Sequence, residues 1–179
     1  LNMSLTADDQ AQAKNLEDIR IAAQMAGELS PGRPPLVETV LGGKPAEWDA
    51  VKDRMVERLK SWAAAAAKGG IILAVKAHVG SAVNSPERLL WLLQKVDSQS
   101  VKVAYDYSHF KVQGIDLEDS VKALLPHTRF IHVKDVSGDA KKFRFLLPGE
   151  GDTDYAAYFR LLKECGYNGP IVVEVSAQV

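Results

Sequence analysis

The strongest constraint on the fold is a regular alternation of short apolar, β-branched segments with longer segments of helical periodicity. The apolar segments are LVETVLGG (36–43), IILAVKAHV (71–79), VKVAYD (101–106), RFIHVKD (129–135) and PIVVEVS (170–176), with LNMSL (1–5) as a sixth candidate. Nearly continuous apolar strands separated by helices indicate parallel strands joined by right-handed helical crossovers. The chain is therefore predicted to be an α/β protein.

The intervening helices carry their own start and stop signals. Helices are predicted over residues 6–28, 46–68, 85–96, 116–125 and 152–166. The expected N-caps are Thr6, Ser85, Asp116 and Asp152, whose side-chain oxygens can accept backbone N–H groups of the first turn. Each clear strand except the last is thus followed by a helix, which gives a series of βα units.

Two architectures fit this series, an open doubly wound sheet and part of a (β/α)8 TIM barrel. No G-x-G-x-x-G segment follows a strand, which weakens the dinucleotide-binding version of the open sheet. Up to the strand at residue 129, the strands recur roughly every 28 to 35 residues, a spacing that suits barrel units. We expect residues 1–179 to form one domain, the C-terminal five or six βα units of such a barrel, with roughly 80–110 further residues preceding Leu1 in the natural protein.

The composition indicates which class of partner the protein binds and in which compartment it is located. The net charge is −1 and the basic residues are scattered, so no basic stripe of the kind that binds nucleic acid is present in the sequence. No apolar stretch approaches a membrane span. Cys165 is the single cysteine, which fits a reducing compartment. We therefore expect a cytoplasmic protein with a small-molecule ligand. A signal sequence cannot be assessed from a chain that begins at Leu1. A homo-oligomer is a further possibility.

Polar side chains cluster where the predicted strands end. They are Lys76 and His78, then Asp106 and His109, then His132, Lys134 and Asp135, and finally Glu174. The carboxyl ends of parallel strands lie on one side of an α/β sheet, where ligands bind. Four successive strands are therefore predicted to converge on one site.

Asp106, His132 and Glu174 are predicted to bind a divalent metal ion. One imidazole and two carboxylates suit manganese, magnesium, cobalt or zinc. The alternative is that each side chain only caps a loop or satisfies a local hydrogen bond.

Other polar residues are candidates for substrate binding, each with a purely structural alternative. His109 is predicted to contact substrate or to support the metal ligands, and Lys134 to bind substrate. His78 shares the strand face of Lys76, so it can face substrate or serve as another metal ligand. Glu150 lies in a glycine-bracketed loop, LLPGEGDTDY (146–155), which either covers substrate or leads into the next helix. Glu38, inside an apolar strand, either faces the site or pairs with a neighbouring lysine.

The segments YDYSHF, FIHVKD, LPGEGDTDY and GYNGPIVVEVS resemble the last three units of the xylose-isomerase-like TIM barrels. That superfamily includes sugar phosphate isomerases/epimerases, ketose 3-epimerases, inosose dehydratases and, more distantly, endonuclease IV. The resemblance extends from about Thr6 to the end of the chain and is poorly specific for one reaction.

The resemblance implies a divalent metal held by a Glu, an Asp, a His and a second Glu from four successive strands. The last three correspond to Asp106, His132 and Glu174, and His109 matches a histidine placed near substrate. The first Glu corresponds to Lys76. An ammonium cannot bind a cation, so Lys76 is expected to act as a base, as an electrophile or, less readily, as a Schiff-base former.

The function expected from this resemblance is that of a sugar phosphate isomerase or epimerase. Such an enzyme moves a proton next to a carbonyl of a sugar or polyol at a metal site, with Glu174, Lys76 and His109 as catalytic residues. One alternative is a lyase of the same fold, an inosose or keto-acid dehydratase, because elimination needs only one base and one acid. A catalytically silent carbohydrate-binding barrel is the other alternative.

Overall fold

The computed structural model describes residues 1–30 and 34–175. The chain divides into two compact units, Leu1–Lys102 and Val103–Val179. The expectation of one domain over the whole chain stays a prediction.

The first unit is built from βα elements. Its elements are α1 (Asp9–Leu29), β1 (Leu36–Val40), α2 (Trp48–Lys68), β2 (Ile72–Lys76) and α3 (Pro86–Val96), with a 3₁₀ turn at Pro45–Glu47. Strands β1 and β2 pair in parallel, with Leu36 opposite Ile72 and Val40 opposite Lys76. The predicted parallel arrangement of these two strands is therefore confirmed.

Small residues allow α1 and α2 to pack closely. Ala23 of α1 and Ala66 of α2 are buried. Gly69, directly after α2, lies so near α1 that an added Cβ would meet the Cβ of Ala23 at 2.5 Å. Helix α2 also contributes Leu59 and Trp62 to the buried core of the unit. Burial of such large apolar side chains is the main favourable term in folding.

The second unit combines parallel strands with one antiparallel hairpin. Strand β3 (Val101–Asp106) leads into this unit, which then contains α4 (Ser108–Lys111), α5 (Leu117–Leu124), β4 (Thr128–Val133), β5 (Asp135–Asp139), β6 (Lys142–Leu146), α6 (Tyr155–Glu164) and β7 (Ile171–Val173). Strand β4 pairs in parallel with both β3 and β7. Strands β5 and β6 form a separate antiparallel pair. This hairpin was not predicted from the sequence.

An aromatic core holds the second unit together. Tyr105 of β3 and Tyr158 of α6 are buried, with ring centroids 6.3 Å apart. The Tyr105 hydroxyl lies 2.8 Å from the Ser120 hydroxyl of α5, which satisfies both polar groups away from water. Strand β3 and the two helices are thereby fixed around the residues that follow β3.

Two of the four predicted helix caps are wrong and two are confirmed. Ser85 and Asp116 cap α3 and α5, accepting the backbone N–H groups of Arg88 and Asp119. For α1 the cap is Asp8 instead of Thr6, because the Asp8 carboxylate accepts the N–H of Ala11. For α6 the cap is Asp154 instead of Asp152, because the Asp154 carboxylate accepts the N–H of Ala157.

Two further local observations bear on the sequence predictions. Residues 1–5 form no strand, although the N–H of Leu5 donates to the carbonyl of Leu41 at 2.9 Å. Within residues 1–30 and 34–175, no helix combines the length and the apolar character needed to cross a membrane.

Candidate active site

The ends of β3, β4 and β7 bring the three predicted metal ligands of the second unit together. Asp106, the last residue of β3, lies directly opposite His132 of β4 in the parallel register. Glu174 follows β7, and its N–H donates to the carbonyl of Val133 at 3.0 Å. One ligand atom from each of Asp106, His132 and Glu174 lies within 4.8 Å of the others.

The carboxylate of Asp106 is held in one orientation by the turn that follows it. Its Oδ1 accepts the backbone N–H of Ser108 at 3.1 Å and the Ser108 hydroxyl at 2.6 Å. The other oxygen, Oδ2, lies 3.1 Å from Nζ of Lys134 and 3.4 Å from Nε2 of His109. Oδ1 of Asp106 therefore fixes the carboxylate to the turn, and Oδ2 faces the site.

His132 and Glu174 form the accessible side of this group. Their side chains are 12% and 28% exposed, whereas those of Asp106 and His109 are fully buried. Nδ1 of His132 lies 3.6 Å from Oε2 of Glu174. The His132 ring also packs edge-on against Phe130 at 4.8 Å, which restricts its orientation. A ligand would meet Glu174 and His132 first.

Lys134 lies at the centre of the group. Its Nζ is 2.6 Å from Oε2 of Glu174, 3.1 Å from Oδ2 of Asp106 and 3.2 Å from Nε2 of His109. The Phe145 ring of β6 covers the ammonium, with its centroid 4.2 Å from Nζ. The same ring meets His109 edge-on at 5.0 Å. An ammonium between two carboxylates and an aromatic ring is electrostatically well placed.

The residues present fit a divalent metal ion. Metal–ligand bonds of roughly 2.0–2.6 Å place the atoms around one ion up to about 4–5 Å apart, which matches the separation found here. The donor set of one imidazole and two carboxylates suits zinc, manganese, cobalt or magnesium. Asp106, His132 and Glu174 are thus a candidate metal-binding group.

Asp135 anchors the loop beside the site, a role that sequence reasoning missed. Its buried carboxylate accepts backbone N–H groups from Val136 at 2.9 Å, from Gly149 and Gly151 at 3.0 Å, and from Thr153 at 3.2 Å. Burial raises the pKa of Asp135, but hydrogen bonding by Thr153, Val136, Gly151 and Gly149 outweighs it and leaves the pKa below 3.8. The sequence signal was an aspartate at a strand end followed by a glycine-bracketed loop.

Glu150 lies on the outside of that loop. It is exposed, and its carboxylate accepts the N–H of Leu147 at 3.3 Å within the same turn. The loop is also held from α4, because Nζ of Lys111 donates to the carbonyl of Asp152 at 2.7 Å. A substrate contact by Glu150 stays a prediction.

Lys76 of the first unit is buried and forms an ion pair with Glu38. The distance from Nζ to Oε1 of Glu38 is 3.2 Å. Glu38 lies opposite Ala74 in the register of β1 and β2. Ala74 and Lys76 share one strand face, so the two charged side chains meet diagonally. Of the two interpretations of Glu38, pairing with a neighbouring lysine is observed.

His78 follows β2 in the first unit and is partly buried. Its Nδ1 accepts the N–H of Gly80 at 3.1 Å. Its backbone N–H donates to the carbonyl of Val83, also at 3.1 Å. These contacts shape the loop after β2, and roles for Lys76 and His78 in catalysis or substrate binding stay predictions.

Known proteins resemble this chain over most of its length. The model of the family described as xylose isomerase-like TIM barrel matches residues 1–178. Among curated proteins, an inosose dehydratase of Geobacillus kaustophilus is 28% identical over 171 residues, covering 86% of this chain and 54% of the relative. The chain thus spans about half the length of this curated relative.

Solved structures share the fold. A structure of the IOLI protein with a bound zinc atom matches with a TM-score of 0.78 at 20% identity, covering 98% of this chain and 66% of the other. A D-allulose 3-epimerase from Methylomonas sp. in complex with D-allulose matches with a TM-score of 0.73 at 24% identity, covering 95% and 59%. At these identities the likeness shows the fold alone.

Proposed function

The chain belongs to the xylose isomerase-like TIM barrel family, and we propose that it carries part of the active site of a lyase that removes water from a keto-polyol or keto-acid. The curated relative from Geobacillus kaustophilus is an inosose dehydratase, and its similarity supports this proposal. The substrate class, the need for a metal and the catalytic roles given below are all part of the proposal.

One observation carries the proposal: Lys134 lies between Glu174 and His109. Its Nζ is 2.6 Å from the Glu174 carboxylate and 3.2 Å from the His109 ring. In the metal-free protein a base, which is also a candidate metal ligand, and an acid thus stand within hydrogen-bond reach of each other. Elimination of water from a carbonyl compound needs one such base and one such acid.

The proton transfers follow from the exposure of these residues. Glu174 is the more accessible, so its carboxylate takes the proton from the carbon next to the substrate carbonyl. Lys134 then donates a proton to the leaving hydroxyl group. A C–H and a C–O bond break, a C=C bond forms, and water departs. Glu174 gives its proton back to Lys134, whose amine in the metal-free protein lies 3.2 Å from Nε2 of the buried His109.

Asp106, His132 and Glu174 would hold the metal ion in this proposal. When bound, a divalent cation supplies positive charge that polarises the substrate carbonyl and stabilises the enolate formed on loss of the proton. Ser108 serves this group by fixing the Asp106 carboxylate through two hydrogen bonds.

The expected isomerase or epimerase activity is the second candidate. The resemblance implies two metal-binding glutamates for that reaction, one on each face of the reacting carbon. Lys76 stands where the first is expected, and in its own unit it pairs with Glu38. Loss of one of two bases harms an epimerase more than a lyase, which favours elimination here.

Keto-cyclitols, keto-acids and keto-sugars incubated in heavy water with Mn²⁺, Co²⁺ or Zn²⁺ would separate these candidates. A lyase yields a conjugated product with a new ultraviolet absorbance and loses a hydroxyl group. An epimerase incorporates deuterium into a product of unchanged composition. The Glu174→Gln variant should be slower by about 10²–10⁴-fold, because it lacks the base. Deuterium uptake without loss of water would contradict the lyase, and no turnover of any compound would favour a binding protein.

A further inference from the structure

The ammonium of Lys134 contacts the same carboxylates that the candidate metal site offers. We propose that Lys134 is a built-in counter-cation that competes with a divalent metal for Asp106 and Glu174, and so sets the metal affinity of the site. This inference rests on the metal site of the proposed function. It assigns Lys134 a role in the metal-free protein that substrate binding or proton transfer does not require.

The ammonium of Lys134 is surrounded by groups that attract it. An ammonium has three donors and no acceptor. Nζ donates to Oε2 of Glu174 at 2.6 Å, lies 3.2 Å from Nε2 of His109 and forms an ion pair with Oδ2 of Asp106 at 3.1 Å. Because an ammonium donates, Nε2 of His109 acts as the acceptor in this arrangement. The ammonium of Lys134 is therefore a cation bound by these groups.

Phe145 closes the remaining side of the ammonium. Its ring centroid lies 4.2 Å from Nζ, and Phe145 is itself buried. The hairpin fixes this ring, since Phe145 pairs with Val136 in the antiparallel register. Two carboxylates near each other repel unless a cation lies between them, and a buried cation is costly unless it is paired. Lys134 provides the cation that the two carboxylates require, and the carboxylates provide the negative charge that the buried ammonium requires.

A metal ion and this ammonium position exclude each other electrostatically. An ion bound about 2.0–2.6 Å from Oε2 of Glu174 would lie within about 5 Å of the present Nζ. Two cations at that distance in a partly buried site repel strongly. Metal binding therefore requires Lys134 to leave these oxygens, and Phe145 and His109 restrict where it can go. The three ligands consequently bind metal more weakly than they would without Lys134.

Calorimetric titration of the metal-free protein with Mn²⁺ tests this inference without any substrate. Lys134→Met should bind Mn²⁺ tighter than wild type by about tenfold or more, because the competing charge is gone. Lys134→Arg keeps the charge and should stay within about threefold of wild type. Lys111→Met is the matched control, since Nζ of Lys111 contacts the carbonyl of Asp152 and none of the ligands. Its Mn²⁺ affinity should equal that of wild type.

Thermal unfolding of the same variants provides an independent readout. Metal-free Lys134→Met should unfold at a lower temperature than wild type, because its carboxylates lack a counter-charge, and saturating Mn²⁺ should stabilise it more than wild type. Lys134→Gln, with a polar but uncharged head, should behave in the same way and serves if Lys134→Met fails to fold. Equal Mn²⁺ affinities of wild type and both uncharged variants would overturn the inference and leave the metal site standing. Absence of Mn²⁺ binding in every variant would overturn both the inference and the metal site.

Discussion

At the scale of single residues, the candidate site depends on atoms that are aimed by their neighbours. The carboxylate of Asp106 is held through one oxygen by Ser108, which directs the other oxygen to Lys134 and His109. Asp135, beside Lys134, uses both of its oxygens to accept backbone N–H groups. Asp106 is thus a candidate metal ligand, whereas Asp135 is a structural anchor of the same unit.

Replacing Ser108 by alanine should weaken metal binding. The variant loses the 2.6 Å hydrogen bond that orients Asp106. Outer partners of this kind are typically worth about 10–100-fold in metal affinity, so a loss in that range is expected in a Mn²⁺ titration. Ser120→Ala is the matched control, because its buried hydroxyl contacts Tyr105 and not the ligands. It should cost about 1 kcal/mol of stability and leave the affinity unchanged. Equal Mn²⁺ affinities of Ser108→Ala and wild type would show that Ser108 does not orient the ligand.

Replacing Asp135 by asparagine should destabilise the protein in a pH-dependent way. The pKa of Asp135 is depressed in the folded state, so its contribution is present above the ordinary value of 3.8 and is lost as the pH falls through the folded pKa. Asp135→Asn should therefore lower the free energy of unfolding by about 1–3 kcal/mol at neutral pH. The difference from wild type should shrink below about pH 4 in urea unfolding. A difference that is constant with pH would exclude the ionised carboxylate as its cause.

At the scale of secondary-structure elements, the hairpin β5–β6 and the loop after it form one assembly beside the site. The hairpin starts directly after Lys134 and returns Phe145 over it. The following loop is clamped to Asp135 at the hairpin's first residue. Covering and anchoring of the site thus come from one continuous segment, residues 135–153.

Gly151 should tolerate no side chain, because the anchored loop lies too close to the hairpin. A Cβ at Gly151 would meet Oδ1 of Asp135 at 2.5 Å and the carbonyl oxygen of Val136 at 2.6 Å. Since the Val136 contact is with backbone, Gly151→Ala should lower the free energy of unfolding by about 1–3 kcal/mol.

The control for this substitution is Gly27→Ala. Gly27 lies within α1, and a methyl group added there would meet open space, so alanine should stabilise by about 0.5–1 kcal/mol through its higher helix propensity. Urea unfolding of both variants measures the contrast. Unchanged stability of Gly151→Ala would mean that the loop is not clamped against the hairpin.

At the scale of the whole molecule, the chain spans about half the length of its curated relative and consists of two compact units. The predicted ligands Asp106, His132 and Glu174 all lie in the second unit, whereas Lys76 and His78 lie in the first. Cytoplasmic location and a homo-oligomer stay predictions, as does the role of each site residue.

Metal binding should stabilise the whole protein against heat. A ligand that binds only the folded state at 100 times its dissociation constant contributes about 2.7 kcal/mol. Saturating Mn²⁺ should therefore raise the midpoint of thermal unfolding, and Asp106→Asn should abolish the rise because it removes a charged ligand. Asp152→Asn, an exposed acidic residue outside the ligand group, should keep it. A Mn²⁺-induced rise that persists in Asp106→Asn would place the ion elsewhere.

Local sequence signals predicted most of the helices and strands, and the residue types at the strand ends predicted the three candidate ligands. Strand and helix periodicity is carried by contiguous residues, and parallel strands end together, so Asp106 and His132 could be expected to be neighbours. The metal-binding potential of their side chains follows from residue type alone. The caps at Ser85 and Asp116 also depend on neighbours in sequence, and they were predicted correctly.

Only the tertiary structure decided which side chains meet beyond those strand ends. Lys134 is central because a hairpin folds Phe145 over it, and no local pattern had indicated that hairpin. Asp135 gains donors from a loop that follows later in the chain, and the strand register, not the residue itself, pairs Glu38 with Lys76. These contacts depend on register and loop closure, which many distant residues set together, whereas periodicity and capping depend on neighbours in sequence.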